Sequence, residues 1–180
     1  GAGYYMSGLT FIEPDESLER WLMAGDHRLL GDPTTAFAHW PAPLLAWLDL
    51  IYTVTFLLLP AGVAVLHLAG RTDLVDRYWT IVSACELGAF MPLAFIQTRP
   101  PWALERPVEL PDGAVHRLAD HAVRNMTIGF NTFPSGHTAG SLGIALALLP
   151  AGALVSGLFF TIAISIAMAC VIGRYHYVID

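Results

Sequence analysis

Residues 138–173 read TAGSLGIALALLPAGALVSGLFFTIAISIAMACVIG and contain no charged residue. One straight helix over this stretch would be about 54 Å long, because an α-helix rises about 1.5 Å per residue, whereas the hydrocarbon core of a bilayer is about 30 Å thick. The stretch therefore predicts two helices. Pro150, Ala151 and Gly152 interrupt it near the middle and Gly157 is a second weak point, so we expect a tight hairpin between helices of about 17 residues each.

The composition of the whole chain is typical of a membrane protein. Of its 180 residues, 55% are hydrophobic and 13% are charged, whereas soluble domains have about 45–50% and about 25%. Two earlier apolar segments, residues 44–68 and 78–96, are each long enough to span a bilayer. The sequence thus predicts an all-α, polytopic integral membrane helix bundle with four spans. The net charge of −6 argues against a nucleic-acid partner, which would need a basic surface.

Two segments outside the spans have the apolar spacing of amphipathic helices. In residues 14–30 the apolar face is formed by Leu18, Trp21, Leu22 and Leu29. In residues 114–126 it is formed by Val115, Leu118, Ala122 and Met126. We expect both helices to lie at the membrane surface as interfacial helices.

Three polar clusters are predicted to meet at one membrane face. The loop between the first two spans carries Arg71 and Arg77, and the excess of positive charge in cytoplasmic loops assigns it to the cytoplasm. Counting crossings from that loop, the second span ends, the third begins and the hairpin returns on the opposite, non-cytoplasmic side. The clusters that share this side are residues 97–107, 133–137 and 173–180.

The second cluster, Pro134-Ser135-Gly136-His137, begins the charge-free run. Its simplest interpretation is a turn in which Ser135 caps the following helix and His137 lies in the first turn. The N-terminus of a helix with small residues also exposes backbone N–H groups at the positive end of the dipole, which suits an anion. In that case His137 could hand a proton to the bound anion.

The third and first clusters contain further candidates. His176 and Asp180 are four residues apart and would share one face of a helix. A carboxylate behind an imidazole fixes its tautomer, which suits a nucleophile or base, although a surface pair is the alternative. Arg99 and Arg106 have planar guanidinium groups that suit phosphate oxygens, with interfacial snorkelling as the alternative.

The chain offers no acidic cluster for Mg²⁺ and no Cys/His set for zinc, so we expect no cofactor. Cys85 and Cys170 lie in apolar runs and are expected to be packed thiols.

Together these motifs resemble those of the type 2 phosphatidic acid phosphatase superfamily, Lys-x6-Arg-Pro, Pro-Ser-Gly-His and Ser-Arg-x5-His-x3-Asp. The second motif is intact at residues 134–137, and the first appears with Arg99 in place of lysine, followed by Arg106 and Pro107. The third keeps His176-x3-Asp180 but has Cys170 in place of its arginine, for which Arg174 is a candidate substitute. The His-Tyr-Val-Ile-Asp and Pro-Pro-Trp stretches are also similar to the branch of sphingomyelin and inositol phosphorylceramide synthases.

The resemblance implies an integral-membrane lipid phosphatase that acts on a lipid phosphate without a metal. His176 would attack the phosphorus, Asp180 would orient it, and His137 would protonate the leaving oxygen. The phosphoryl oxygens would be held by Arg99, Arg106, Ser135 and Gly136, with Arg174 as a further candidate. A phosphotransferase that moves the group to a lipid or inositol alcohol is the alternative.

The predicted spans and the motifs divide the chain, as one membrane domain, into an N-terminal interfacial segment (1–43), two spans (44–96), a catalytic loop (97–137) and the hairpin with the third motif (138–180). A final span after Asp180 is expected to be missing. We interpret the long connection after Arg99 as a lid or substrate entrance, in which a head group could contact His116, Arg117, His121 and Arg124; placement on a solvated face is the alternative.

Two other classes of protein are considered. A transporter or channel would use Asp49, Glu86 and His67 as a polar path. A lipid-binding scaffold would use the arginines alone, without turnover.

Overall fold

A computed structural model describes residues 13–126 and 132–180 of the chain. Residues 1–12 of the predicted interfacial segment and residues 127–131 of the predicted entrance connection lie outside these ranges. The described residues form α-helices and short 3₁₀ turns without any strand, so the all-α prediction is confirmed. The helices are α1 (Glu16–Leu30), α2 (Ala42–Thr53), α3 (Leu58–Leu68), α4 (Val75–Phe90), α5 (Pro101–Leu104), α6 (Ala114–Met126), α7 (Gly136–Ala147) and α8 (Ala153–Ile172).

The predicted hairpin is present between α7 and α8. A 3₁₀ turn, Leu149–Ala151, follows α7. Gly152 then adopts a positive φ of 118°, a conformation that residues other than glycine rarely adopt. The Ser156 hydroxyl lies 2.9 Å from the Gly152 carbonyl oxygen and 3.1 Å from that of Leu148. The first turn of α8 therefore satisfies carbonyl groups at the end of α7, which fixes the two helices side by side.

The predicted span 44–68 is bent. Its two halves, α2 and the segment Thr55–Leu68, meet at 58°. The hydroxyls of Thr53 and Thr55 donate to the carbonyls of Asp49 (2.8 Å) and Ile51 (3.0 Å), and such back-bonding bends helices. Pro60 adds to the break because it lacks an N–H for the carbonyl one turn earlier.

The core of the bundle is the contact of α7 with α4 and α8. Glycines of α7 let α4 approach closely: a Cβ atom on Gly143 would lie 2.9 Å from Cys85 Cβ, and one on Gly140 would overlap the Glu86 carboxylate. Helix α4 ends at Phe90, although the sequence predicted a span up to residue 96. The reason is Pro92, which cannot continue the helix and starts a 3₁₀ turn instead.

Both predicted amphipathic helices form, and their orientation is now defined. Helix α1 buries Glu19, Leu22 and Asp26, while Trp21 and Leu29 are exposed by 58% and 64%. Leu22 therefore belongs to the inner face and only part of the predicted apolar face points outward. Helix α6 packs against α2 through buried Ala119 and Val123, and leaves Leu118 exposed, as residues of a membrane-surface helix would be. The result is two helices that lie against the bundle with apolar side chains on the outside.

The polar clusters gather at one end of the bundle. Arg71 donates to the Pro150 carbonyl oxygen at 2.8 Å, so the loop after α3 lies beside the α7–α8 turn at the other end. At the opposite end the backbone N–H of Thr132 donates to the Thr98 carbonyl oxygen, and that of Trp102 donates to the Arg174 carbonyl oxygen at 3.1 Å. Residues 97–102, 132–137 and 173–180 are thus neighbours in the fold.

Among the described residues, α8 alone is by itself long and apolar enough to cross a membrane. The bent pair of α2 and Thr55–Leu68 meets the same criterion when taken as one span, and α7 with its 3₁₀ turn is apolar but shorter. A bundle with four spans stays a prediction.

The close contact of α7 and α4 gives the first testable prediction. Gly143→Ala should lower the free energy of unfolding by about 1–3 kcal/mol, since the added methyl meets the Cβ and sulfur of Cys85. Gly157→Ala, in α8 with no atom within 4 Å of the added Cβ, is the matched control and should be neutral or stabilising by up to about 1 kcal/mol. Unfolding in detergent micelles, followed by circular dichroism, measures both. Equal effects of the two variants would show that the glycine contact is not tight.

Candidate active site

The turn after α8 brings His176 and Asp180 into contact. His176 Nδ1 lies 2.8 Å from Asp180 Oδ2, and the Asp180 side chain is almost completely buried. The backbone N–H groups of Tyr175 and His176 both donate to the Cys170 carbonyl oxygen, which folds the chain back on the helix end. Since α8 ends at Ile172, the pair lies in a turn and the predicted helical setting is wrong.

This contact defines the chemistry of the His176 ring. An ionised carboxylate only accepts hydrogen bonds, so the proton of the neutral imidazole lies on Nδ1. The lone pair then lies on Nε2, away from the carboxylate, and the carboxylate stabilises positive charge that develops on the ring. Such an imidazole is suited to attack an electrophile or to accept a proton.

His137 lies in the first turn of α7, where Ser135 is the N-cap. The Ser135 hydroxyl accepts a hydrogen bond from the Thr138 N–H at 3.3 Å, as the sequence predicts. The centroids of the His137 and His176 rings are 6.0 Å apart. The two segments that carry the histidines therefore place both imidazoles at the same end of the bundle, close enough for one small group to contact both rings.

Aromatic rings surround His137. Tyr52, from the last turn of α2, stacks on His137 with centroids 4.8 Å apart and an interplanar angle of 26°. The same tyrosine stacks on Tyr175 at 4.4 Å, and Phe56 lies against His137 at 5.6 Å. Within the described part of the chain, the His137 imidazole forms no hydrogen bond or ion pair. The two histidines thus differ in setting, one beside a carboxylate and the other among rings.

Cys170 occupies the position where the third motif has its arginine. Its sulfur lies 4.0 Å from the hydroxyl oxygens of both Ser135 and Thr138. The thiol is buried and free, as is expected of a packed cysteine, and Cys85 is also free. The side chain at this position therefore packs under the first turn of α7 and brings no positive charge there.

Arg99 is paired with a buried carboxylate of α1. Its Nη2 atom lies 2.7 Å from Glu19 Oε2, its Nε atom lies 3.1 Å from Oε1, and its backbone N–H also donates to Oε1 at 2.7 Å. This fork-to-fork geometry is the strongest form of an arginine–carboxylate pair. About a third of the Arg99 side chain stays exposed.

Arg106 has partners in the segment after α1. Its guanidinium contacts the Asp32 carboxylate, and its Nε atom donates to the Thr34 hydroxyl at 2.8 Å. Thr34 also donates to Asp32, and this hydrogen bond lowers the pKa of the Asp32 carboxyl. Arg106 is more than half exposed. Asp32 thus stays ionised at neutral pH and holds the guanidinium beside it.

Arg174 is the most buried of the three arginines. Its Nη1 atom lies 2.5 Å from Asp26 Oδ2, and its Nη2 atom lies 2.7 Å from Glu105 Oε2. Asp26 also accepts the Val178 N–H at 2.8 Å, so it binds the turn that carries His176. Arg174 adopts a left-handed conformation with φ of 56°, which costs a residue other than glycine about 1–3 kcal/mol and is found mainly at constrained sites.

All three arginines that the sequence proposed for phosphate therefore have carboxylate partners in this structure. Phosphate binding by Arg99, Arg106 and Arg174 stays a prediction, and it requires a phosphate group to compete with these carboxylates. These carboxylate partners were not predicted from the sequence. Glu19, Leu22 and Asp26 recur at helical spacing, which is the signal of a buried stripe that contains two acids. No sequence pattern pointed to Tyr52.

An ion pair joins the proposed entrance helix α6 to α2. His116 Nδ1 lies 3.0 Å from Asp49 Oδ2 of α2, and this hydrogen bond raises the pKa of His116. Arg117 is on the exposed side, where it pairs with Asp112. The described residues contain no group of three or more side chains that could hold a metal ion.

Comparison with known proteins identifies a family that the chain matches. The family model described as the PAP2 superfamily matches residues 20–180, a range that includes all three polar clusters and most of α1. Neither a curated protein nor a solved structure is significantly similar to the chain.

The His116–Asp49 pair predicts a pH-dependent stability. The pKa of His116 in the folded protein lies above its ordinary value of about 6.5, so the protonated ring stabilises the fold at pH values below about 6.5. This contribution is lost as the pH rises through the raised pKa. The thermal midpoint of the parental protein should therefore fall relative to that of His116→Gln as pH increases from about 6 to about 8. Replacement of exposed His39 by Gln is the matched control. Parallel curves for the parental protein and His116→Gln would contradict the prediction.

Proposed function

The chain belongs to the PAP2 superfamily, whose members are phosphatases or related phosphotransferases, and we propose that it is an integral-membrane enzyme that cleaves a lipid phosphate ester through His176. The observation that carries the proposal is the pair of imidazoles 6.0 Å apart, with Asp180 2.8 Å behind one of them. Phosphoryl transfer needs a positioned nucleophile, a proton donor and stabilisation of charge, and this end of the bundle supplies residues for each.

In the first step, Nε2 of His176 attacks the phosphorus and the bond between phosphorus and the ester oxygen breaks. The Nδ1–H···Asp180 hydrogen bond stabilises the positive charge on the phosphorylated ring. Burial lowers the pKa of His137 to about 3, and the negative charge of a bound phosphate raises it, so the imidazolium forms with the substrate in place. It gives its proton to the leaving alkoxide, which departs as an alcohol. The developing charge on the phosphoryl oxygens faces the first turn of α7, where Gly136 and its neighbours have backbone N–H groups without intrahelical partners.

In the second step, water attacks the phosphohistidine. His137, now neutral, accepts a proton from the water, the bond between nitrogen and phosphorus breaks, and phosphate leaves. If a lipid or inositol alcohol replaces the water, the same steps yield a phosphodiester and the enzyme is a phosphotransferase. The family permits both outcomes, and the acceptor decides between them.

The apolar surface supports a lipid substrate and a membrane location. Large apolar side chains are more than half exposed on α3, α4 and α8, which is unfavourable in water and ordinary in hydrocarbon; they include Leu68, Leu87, Leu154, Leu158 and Ile164. A groove of about 340 Å³ runs along α8 under the segment after α1 and is lined by apolar residues, among them Phe37, Trp40 and Met168. Val178, two residues after His176, also lines the groove.

The contacts of the charged residues favour this enzyme over a transporter. A polar path would require Asp49, Glu86 and His67 to line one route across the helices. In the structure Asp49 pairs with His116 at the site end, while His67 Nδ1 lies 2.9 Å from the Val63 carbonyl oxygen of its own helix. Because Asp49 and His67 each bind a different partner, a transporter that moves protons or ions along the three residues is the weaker proposal.

A phosphoenzyme assay tests the roles of the two histidines. With dioleoyl phosphatidic acid in micelles and EDTA present throughout, the parental protein should release phosphate and vanadate should inhibit it. His176→Ala should show neither turnover nor phosphohistidine. His137→Ala should lose about 10²–10⁴-fold in turnover, the usual contribution of a general acid, yet still form phosphohistidine from 4-nitrophenyl phosphate, whose leaving group needs no proton.

The control is Trp79→Leu, a change at a half-exposed side chain of α4 near the loop after α3, which should leave turnover at the parental rate. Labelled phosphate on His137 in the His176→Ala protein would reverse the assignment, and activity that requires an added metal would contradict the metal-free mechanism. Formation of a new phosphodiester lipid in a lipid extract would identify a phosphotransferase.

The two ends of the bundle predict the sidedness of the protein. In a background in which Cys85 and Cys170 are replaced by Ala, Ser17→Cys and Glu109→Cys place a thiol on exposed residues at the site end, and Asp73→Cys places one in the loop after α3. A membrane-impermeant maleimide should label the first two in intact cells and the third only after permeabilisation. Labelling of all three in intact cells would contradict a membrane between the two ends.

A further inference from the structure

The ring of Tyr52 contacts both segments that carry the proposed catalytic histidines. It stacks on His137 at 4.8 Å and on Tyr175 at 4.4 Å, each with an interplanar angle of 26°. Tyr175 precedes His176 directly in the chain. The three rings therefore form a continuous stack, and only 7% of Tyr52 is exposed.

This stack is well placed to orient His137. His176 is oriented by the Asp180 carboxylate, whereas the contacts of His137 in the described residues are aromatic rings. Stacked rings hold an imidazole plane in a defined direction, with about 0.5–1.5 kcal/mol for such a pair. Because proton transfer depends on hydrogen-bond reach between donor and leaving oxygen, the angle of this ring matters for the rate.

Tyr52 itself is held by a helix with anchors on two sides. The Trp47 indole N–H donates to the Ser165 hydroxyl of α8 at 3.2 Å, and Asp49, one turn before Tyr52, pairs with His116 of α6. The bend after Thr53 ends α2 just beyond the tyrosine. A residue at this position therefore has little freedom to move away from His137.

We propose that Tyr52 is a positioning residue, whose ring sets the orientation of His137 and its spacing from His176. The inference rests on the proposed function, because it assigns Tyr52 a part in the proton transfer to the leaving group. The ring carries this role, so that phenylalanine replaces tyrosine and an aliphatic side chain does not.

The test compares a substrate that needs a proton donor with one that does not. Tyr52→Leu should lower kcat for dioleoyl phosphatidic acid by about 10- to 100-fold, since small misplacements of catalytic groups cost on the order of 10²-fold, with KM within about twofold. Its rate of phosphohistidine formation from 4-nitrophenyl phosphate should stay within about threefold of the parental rate, because that leaving group bypasses the general acid. Tyr52→Phe should restore turnover of phosphatidic acid. Trp79→Leu, which removes a half-exposed ring from α4 near the loop after α3, should affect both substrates equally.

A spectroscopic readout keeps the inference separate from the proposed function. In protein with ¹³C-labelled histidine in micelles, assigned with His137→Gln, the ring C–H resonances of His137 should move downfield in Tyr52→Leu and stay in place in Tyr52→Phe. If the parental protein turned over no phosphate ester, the proposed function would fail while this shift still reported the stack. Unchanged His137 resonances in Tyr52→Leu, or equal losses on the two substrates, would overturn the role of Tyr52.

Discussion

The ion pair between Arg174 and Asp26 fixes the turn that carries the His176–Asp180 pair of the proposed active site. Both side chains are almost completely buried, and isolated charges at such a position would each cost several kcal/mol. The structure satisfies them with further hydrogen bonds, from Arg174 to Glu105 and from the Val178 N–H to Asp26. These contacts hold Arg174 in its left-handed conformation. The His176–Asp180 geometry therefore depends on a helix that lies about 150 residues earlier in the chain.

The exposure of the three arginines ranks them as phosphate ligands. If the arginines bind phosphate as predicted, the phosphate competes with their carboxylate partners, and release of a carboxylate costs least where water solvates the released group. Arg106, with 55% of its side chain exposed, meets this condition best, Arg99 with 34% comes next, and Arg174 with 1% is last. Arg174 is thus the arginine whose structural role is clearest, and Arg106 and Arg99 are the stronger candidates for the predicted phosphate contacts.

The sequence predicted those features that depend on local chain properties. The α7–α8 turn follows from the length of the charge-free run and from Pro150 and Gly152, and the Ser135 cap follows from residue type. The bend after α2 and the early end of α4 were not predicted. The bend arises from threonine side chains that bond to backbone carbonyls, and α4 ends because of Pro92; both lie inside apolar segments, and hydropathy alone does not distinguish such a segment from a straight span. The helical spacing of Glu19, Leu22 and Asp26 indicates a buried stripe with two acids, but no spacing pattern shows that these acids meet the arginines. The arginine–carboxylate pairs and the Tyr52 stack join segments far apart in the chain, and the sequence does not show which segments meet.

Helix α7 takes part in the packing against α4, in the ring contacts of His137 and in a hydrogen bond with Arg77. Its glycines fix it against α4, the Tyr52 and Phe56 rings lie against His137 in its first turn, and Arg77 donates to the Ala147 carbonyl oxygen at 3.0 Å at its other end. The guanidinium stabilises the negative end of the helix dipole. At the positive end Ser135 satisfies one amide group, while the other first-turn amides lack intrahelical acceptors. An anion at that end would gain both from the dipole and from these amides, so the same packing that holds His137 in place favours the binding of a phosphoryl group beside it.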